Sequence, residues 1–242
     1  RRKIMKHPPI PYEARISEIF SSLQGEGTHA GERHLFIRFE ECHIHCEYCD
    51  ELDKPAKNQT LEEVIEAVMR LEKEEGPHRF VSLTGGEPLL YLSFLTPLLL
   101  RLKALNYRIY LETNGILWQA LESVVGWCDI IAMDLKPASV TKEKSFLKEH
   151  HRFLEIARSK EAFIKIVLSS EIDIQEFHGL IQLVQIVSPE TPVILQPMSK
   201  EEKEGHDDTE LMQLLGELQR LAARMIPDVR IMPRLHRILK IR

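Results

Sequence analysis

Seven short apolar runs rich in β-branched residues recur along this 242-residue chain, separated by amphipathic helical patterns and polar loops. The runs are His34 to Glu40, Arg79 to Leu83, Arg108 to Glu112, Asp129 to Asp134, Ala162 to Leu168, Pro192 to Gln196 and Val229 to Met232. Near-continuous hydrophobicity of this kind suits strands buried on both faces, as in parallel sheets. Among the intervening segments, Thr60-Leu61-Glu62-Glu63 is a capping box, and Leu61, Val64, Ile65, Val68 and Leu71 share one helical face. Helices are also expected over Ser93 to Leu105, Glu143 to Ala157, Asp173 to Val187 and Asp208 to Met225. Strand–helix alternation implies right-handed crossovers and a parallel sheet, either open or curled into a barrel.

In such α/β folds the chemistry gathers at the carboxyl ends of the strands, and the unusual local sequences follow that rule. Cys42 to Cys49 comes after the first run, Thr84-Gly85-Gly86-Glu87-Pro88 after the second, and Glu112-Thr113-Asn114-Gly115 after the third. Asp134-Leu135-Lys136 closes the fourth, Gln196-Pro197-Met198 closes the sixth, and His236 trails the seventh. With 43% hydrophobic residues the chain can bury one substantial core, and no composition break is long enough for a linker. Residues 1–242 therefore read as a single domain, with Lys200 to Asp208 as a polar surface loop.

Composition narrows the function classes. A net charge of −5 provides no basic face for a phosphate backbone, which argues against direct nucleic-acid binding. No apolar stretch approaches the ~20 residues of a membrane span, and the basic, proline-rich Arg1 to Tyr12 lacks the apolar core of a signal peptide. Three of the four cysteines fall within eight residues, a spacing for metal ligands rather than a disulfide framework, and so for the reducing cytoplasm. Cys128, at the head of a strand, reads as a buried apolar cysteine.

Cys42-x3-Cys46-x2-Cys49 offers three thiolates in one loop. A 4Fe–4S cluster held by three protein ligands keeps one iron open to a small molecule. His43 and His45 lie between the cysteines, so spacing alone leaves a Cys3His zinc site open. With the aromatic Tyr48 before the last cysteine, and Gly85-Gly86-Glu87-Pro88 one strand later, the chain resembles the radical S-adenosylmethionine superfamily. That resemblance implies a partial, TIM-like α/β barrel of parallel strands with outer helices. It also implies a 4Fe–4S cluster on Cys42, Cys46 and Cys49, whose open iron takes the amino and carboxylate groups of S-adenosylmethionine.

A narrower resemblance runs in order from residue 14 to residue 242. Glu18-Ile19-Phe20-Ser21-Ser22-Leu23-Gln24-Gly25-Glu26-Gly27, then Gly31 and Phe36-Ile37-Arg38-Phe39, is similar to the opening of the 7-carboxy-7-deazaguanine synthase family. Tyr110 to Gly115, Ala132 to Lys136, Val193 to Pro197 and Val229 to His236 are similar to later segments of that family. The resemblance implies a lyase of the queuosine (tRNA-modification) and deazapurine pathways, acting on 6-carboxy-5,6,7,8-tetrahydropterin. A 5′-deoxyadenosyl radical takes hydrogen from carbon 6, the ring contracts, and ammonia leaves. It further implies a homodimer, reduction by a flavodoxin or ferredoxin, an N-terminal extension over about residues 1–13, and a tail over about residues 228–242 that closes on the site.

By that resemblance Leu23, Gln24, Gly25, Glu26, Arg38, Thr84 and His236 bind the substrate. Tyr48, Cys49, Asp50, Gly86, Glu112, Asn114, Asp134, Leu135, Lys136 and Gln196 contact S-adenosylmethionine. The residue types fit: Gln and Glu can read the amide and amino groups of a pterin, and Arg can pair with its carboxylate. Departures are informative. Family members usually carry Thr or Ser after the Cys-Asp of the cluster loop, where a hydroxyl ligates Mg²⁺; here Asp50 is followed by Glu51. Glu51 is the expected Mg²⁺ ligand, with Asp53 or no metal as the other readings. Arg234 stands where Gln is common in the tail. Two rival functions remain at this stage: an activator of a glycyl-radical enzyme, whose substrate is a protein, and a non-enzymatic zinc-binding interaction module.

Overall fold

The computed structural model describes residues 12–49, 55–198 and 209–241. Its strands are β1 (Glu13–Leu23), β2 (Arg33–Phe39), β3 (Lys57–Thr60), β4 (Phe80–Gly85), β5 (Arg108–Thr113), β6 (Ile130–Leu135), β7 (Glu161–Leu168), β8 (Val193–Pro197) and β9 (Val229–Ile231). The helices are α1 (Leu61–Glu75), α2 (Leu92–Ala104), α3 (Trp118–Val124), α4 (Ala138–Thr141), α5 (Leu147–Ala157), α6 (Ile174–Val187), α7 (Thr209–Ala222) and α8 (Leu235–Ile238). All strands join one sheet in the order β3-β1-β2-β4-β5-β6-β7-β8-β9. The edge strands β3 and β9 do not pair with each other, so the sheet is a partial barrel, as the sequence led one to expect.

The seven apolar runs are β2 and β4 to β9, and every neighbouring pair among them is parallel. Beside these parallel strands the sheet carries two that the apolar runs did not include: β1 pairs antiparallel with both β2 and β3. A register shift between Ile16 and Glu18 interrupts the alternation of β1, and its buried positions include Ser22 as well as Ala14, Ile16 and Phe20. No continuous apolar run marks it. The polar β3 is held instead by pairing with Glu13 to Ile16.

Capping fixes α1 as read: the Thr60 hydroxyl accepts from the Glu63 N–H, and the Glu63 carboxylate accepts from the Thr60 N–H at 2.7 Å. The segment expected to be helical from Glu143 starts only at Leu147. Tertiary contacts claim the missing turn: the Glu143 carboxylate accepts from the His45 N–H at 2.6 Å, and Phe146 packs with Ile44, Cys46 and Ile116. The expected polar loop Lys200 to Asp208 lies outside the described residues.

Alternation along each strand gives the sheet two faces. One set, including Leu35, Ile37, Val81, Leu83, Leu111, Met133, Ile166 and Leu195, joins the helices in the main core. The other set packs Phe80, Tyr110, Ile130, Phe163 and Ile194 into a second, smaller cluster on the opposite face. Above that cluster, toward the strand carboxyl ends, the same face becomes polar and opens into a cavity.

Candidate active site

The cavity measures about 1350 Å³, counted to its open mouth, and all the clusters that follow the strands except Gln196-Pro197-Met198 line it. Cys42, Cys46, Cys49 and Tyr48 form one side; Thr84, Gly85, Gly86, Glu112, Asn114, Asp134 and Lys136 line it at the ends of β4, β5 and β6. Leu23, Gln24, Gly25 and Glu26 enter from the end of β1, Arg38 from β2, and Arg234 and His236 from the tail.

The β1–β2 connection is folded back on itself to deliver the second group. The Gln24 N–H donates to the Glu32 carbonyl at 2.7 Å, and the Gly31 N–H donates to the Gln24 carbonyl at 2.8 Å. Gly27 has φ +68°, and a Cβ there would lie 2.1 Å from the Phe163 ring, so only glycine fits. The tail clasps this turn: the Leu235 N–H donates to the Gly25 carbonyl at 2.8 Å. A Cβ on Gly25 would stand 2.0 Å from His236 Nδ1.

Gly85-Gly86-Glu87 organises the opposite side. The Gly86 N–H donates to the Phe39 carbonyl at 2.8 Å, and the Glu87 N–H donates to the Glu41 carbonyl at 2.7 Å. A Cβ on Gly86 would sit 2.1 Å from the Glu41 oxygen, so this glycine lets the cysteine loop rest directly on the end of β4. Glu87 is fully buried and accepts from the Asn114 N–H at 2.8 Å and from the Thr113 hydroxyl at 3.0 Å. Burial pushes its carboxyl up to about 7 against the pull of those donors.

Two polar groupings cross the cavity. Gln24 Nε2 donates to Glu112 Oε1 at 2.9 Å, and the Thr84 hydroxyl donates to Glu112 Oε2 at 2.8 Å. Glu112, expected beside S-adenosylmethionine, is thus held by two residues expected on the substrate; burial and the nearby Glu26 raise its carboxyl. The second grouping centres on Glu26, which pairs with Lys165 at 2.6 Å and Arg234 at 3.3 Å and accepts from Gln196 Nε2 at 3.3 Å. Burial alone would raise the Glu26 carboxyl, but Lys165 and Arg234 outweigh it and hold it at about 2. Lys165 also reaches Asp134 at 3.4 Å, and Asp134 pairs with Lys136 at 2.8 Å. Burial works against both ammonium groups, yet their carboxylate neighbours keep them above the ordinary lysine range. Lys136 further approaches the Tyr48 hydroxyl at 3.4 Å.

Sequence reading did not single out Lys165. The signal was there, since it is the lone charge inside the apolar run Ala162 to Leu168. Leu135 is fully buried in the helix-side core and does not line the cavity. Gln196 is buried behind Glu26. Asp50, Glu51 and Asp53 lie outside the described residues. Cys128 is buried and its thiol donates to the Val124 carbonyl at 3.6 Å.

The donor set fits a cluster better than zinc. Ile44, Ile116 and Phe146 surround the cysteine loop with apolar side chains, while His43 and His45 are exposed. Among the described residues no three His, Cys, Asp or Glu side chains lie close enough to share one metal ion. Burial pushes the Cys46 thiol up to about 11, so a metal held there would have to displace its proton. Two buried acceptors, Asp134 Oδ1 and Gln196 Oε1, have no partner among the described residues. Of these, Asp134 lines the cavity and calls for a donor from a bound molecule, as the amine or ribose hydroxyls of S-adenosylmethionine would provide.

Cysteine loop, glycine-rich strand end and partial barrel together define a class. The Radical SAM superfamily profile matches residues 36–168, just over half of the chain, and the chain belongs to that superfamily. The chain is 34% identical to the 7-carboxy-7-deazaguanine synthase of Geobacter sulfurreducens, over 93% of this chain and 97% of that one. It is 32% identical to the synthase of that name from Methanopyrus kandleri, over 92% of each. Within the superfamily, then, it is an enzyme of the 7-carboxy-7-deazaguanine synthase family. The crystal structure of QueE from Escherichia coli shares its fold, with a TM-score of 0.64, 20% identity and coverage of 93% of this chain and 95% of that one. No helix among the described residues is long and apolar enough to cross a membrane.

Proposed function

We propose that this enzyme converts 6-carboxy-5,6,7,8-tetrahydropterin to 7-carboxy-7-deazaguanine and ammonia, as a single unit over residues 1–242. One observation carries the reading: the turn Leu23 to Glu26, clasped by the tail, opens onto the same cavity as the three cysteines. A substrate seated on that turn lies across from the cluster loop.

When bound, the cluster on Cys42, Cys46 and Cys49 and S-adenosylmethionine supply the one-electron chemistry that removes a substrate hydrogen. The chain's own residues do the rest. Arg38, Lys136, Lys165 and Arg234 line the cavity together with Glu26, Glu112 and Asp134, and Arg38 lies 3.7 Å from Glu18. Arg38 and Arg234 are suited to pair with the substrate carboxylate in a planar, two-point contact. Glu26 and Glu112 present carboxylate oxygens to the N–H edge of a pterin, with Gln24 and Thr84 fixing the orientation of Glu112. Tyr48, Gly86, Asn114, Asp134, Lys136 and Gln196 serve the cofactor side. His236 and Arg234 close the mouth and help exclude water from a reactive intermediate.

Glu51 as Mg²⁺ ligand, a flavodoxin or ferredoxin as reductant, a homodimer and a cytoplasmic setting complete the proposal. The test is an anaerobic assay of the reconstituted enzyme with the carboxy-tetrahydropterin, with and without Mg²⁺. Deazaguanine product is expected, and faster turnover with Mg²⁺ that Glu51→Ala abolishes. Absence of product under both conditions overturns the substrate assignment.

A further inference from the structure

Asn114, at the end of β5, is anchored through each of its polar groups. Its N–H donates to Glu87 at 2.8 Å, and its side-chain Oδ1 accepts from the Ile116 N–H at 3.2 Å. Its carbonyl faces His150 Nε2 at 3.2 Å. That leaves Nδ2, which donates to Cys42 Sγ at 3.7 Å. The Ile116 contact settles which end of the amide is oxygen, because a backbone N–H can only donate. A carbonyl can only accept, so His150 carries its proton on Nε2.

The histidine is costly where it stands. It is fully buried on α5, burial lowers its pKa to about 4 and keeps it neutral, and its Nδ1 has no partner among the described residues. A cavity of about 530 Å³ lies against it, bounded also by Phe146 and Lys136. An apolar side chain there would avoid desolvating two nitrogens for one hydrogen bond.

We propose that His150 is a positioning residue for the 4Fe–4S cluster: by holding the Asn114 carbonyl it fixes the Asn114 amide on Cys42 Sγ, and this hydrogen bond raises the cluster's reduction potential. The physical reason is that an N–H aimed at a ligand sulfur stabilises the added negative charge of the reduced cluster. The inference rests on the assignment of a cluster to the three cysteines and is independent of which substrate the enzyme takes.

The experiment is an EPR-monitored redox titration of the full-length, anaerobically reconstituted enzyme without substrate. His150→Phe and Asn114→Ala, each with a full iron and sulfide complement, are expected to have lower midpoint potentials than the wild type, Asn114→Ala the lower of the two. His150→Gln, whose amide can donate to the same carbonyl, is expected to recover part of the shift. The double variant His150→Phe/Asn114→Ala should match Asn114→Ala alone, because the histidine acts through the asparagine. A residue that merely stabilised the fold would move the unfolding midpoint and leave the potential in place. Wild-type potentials in fully loaded His150→Phe or Asn114→Ala overturn the inference, as do additive shifts in the double variant. Should His150→Phe fail to take up iron, His150→Leu and Asn114→Ala decide by the same measurement. A wild type that assembles no 4Fe–4S cluster overturns the cluster assignment together with the inference, whereas a normal cluster with unshifted variants overturns the inference alone.

Discussion

Two layers of side chains on one face of the sheet lie a single alternation apart, roughly 6.6–6.8 Å along each strand. Tyr110 and Glu112 on β5, Phe163 and Lys165 on β7, and Ile194 and Gln196 on β8 each contribute one residue to the lower layer and one to the upper. The lower layer is an aromatic and aliphatic plug with His34 against it, its ring 4.7 Å from that of Phe80 and 5.2 Å from that of Tyr110. Burial lowers His34 to about 3, so it is neutral, and its Nδ1 shares a hydrogen bond with the Ser82 hydroxyl at 2.7 Å. The upper layer is partly open to the cavity, and there Glu26, Lys165, Asp134 and Lys136 alternate in sign at 2.6, 3.4 and 2.8 Å. Contact with an opposite charge, together with residual exposure to the cavity, keeps these groups ionised. A charge survives where an opposite one is in contact, and a ligand cavity needs charges whereas a plug does not.

The largest effect should come from breaking the upper layer. Lys165→Met leaves Glu26 and Asp134 buried with less compensation, and should cost about 3–5 kcal/mol in urea unfolding along with most turnover. Adding Glu26→Gln should return part of that stability. Equal stability in Lys165→Met and wild type would show that the upper layer is not ionised. Next, Gly25→Ala puts a methyl group where His236 sits. Displacing the tail by such a contact should lower kcat/KM about 100-fold with little change in iron content, and unaltered kinetics would mean that the clasp is not part of the site.

The two layers should also fail in different pH windows. His34 has a folded pKa of about 3 against 6.5 unfolded. The unfolded chain thus binds more protons between those values, and stability falls as pH drops through them, by at most about 1.4 kcal/mol per pH unit for this group. His150, at about 4, adds to the same window. Glu26, at about 2 against 4.5, contributes fully above 4.5 and loses that contribution as pH falls toward 2. In His34→Phe, denaturation between pH 6.5 and 4.5 should flatten while the lower window stays; an unchanged profile would remove His34 from the account. The smallest effect is remote from both layers. Thr60→Ala removes the α1 cap and should cost about 1 kcal/mol, with turnover untouched. It serves as the reference that separates loss of stability from loss of the site.

Much of the fold is legible in the chain itself. The seven apolar runs became β2 and β4 to β9 because a parallel strand buried on both faces leaves its mark within a few consecutive residues. β1 left no such mark, because a register shift and polar positions such as Ser22 broke its pattern. The first turn expected of the helix at Glu143 was lost to contacts with His45 and Phe146's apolar neighbours, which no local propensity encodes. Lys165 went unmarked because a single charge in a strand means nothing until its partners are known.

Contiguous segments encode the kind of element at most positions, the cysteine loop, and the polar clusters that follow the strands, since periodicity is a property of short stretches of chain. The sequence also carried the family, in motifs that read in order along the chain. Tertiary structure alone decided which charges meet. Glu26 and Lys165 are 139 positions apart, and Gln24 and Glu112 are 88 apart. Such pairs are set by strand register and by the closure of the tail over the β1–β2 turn, and these depend on the packing of the whole sheet rather than on any one stretch of it.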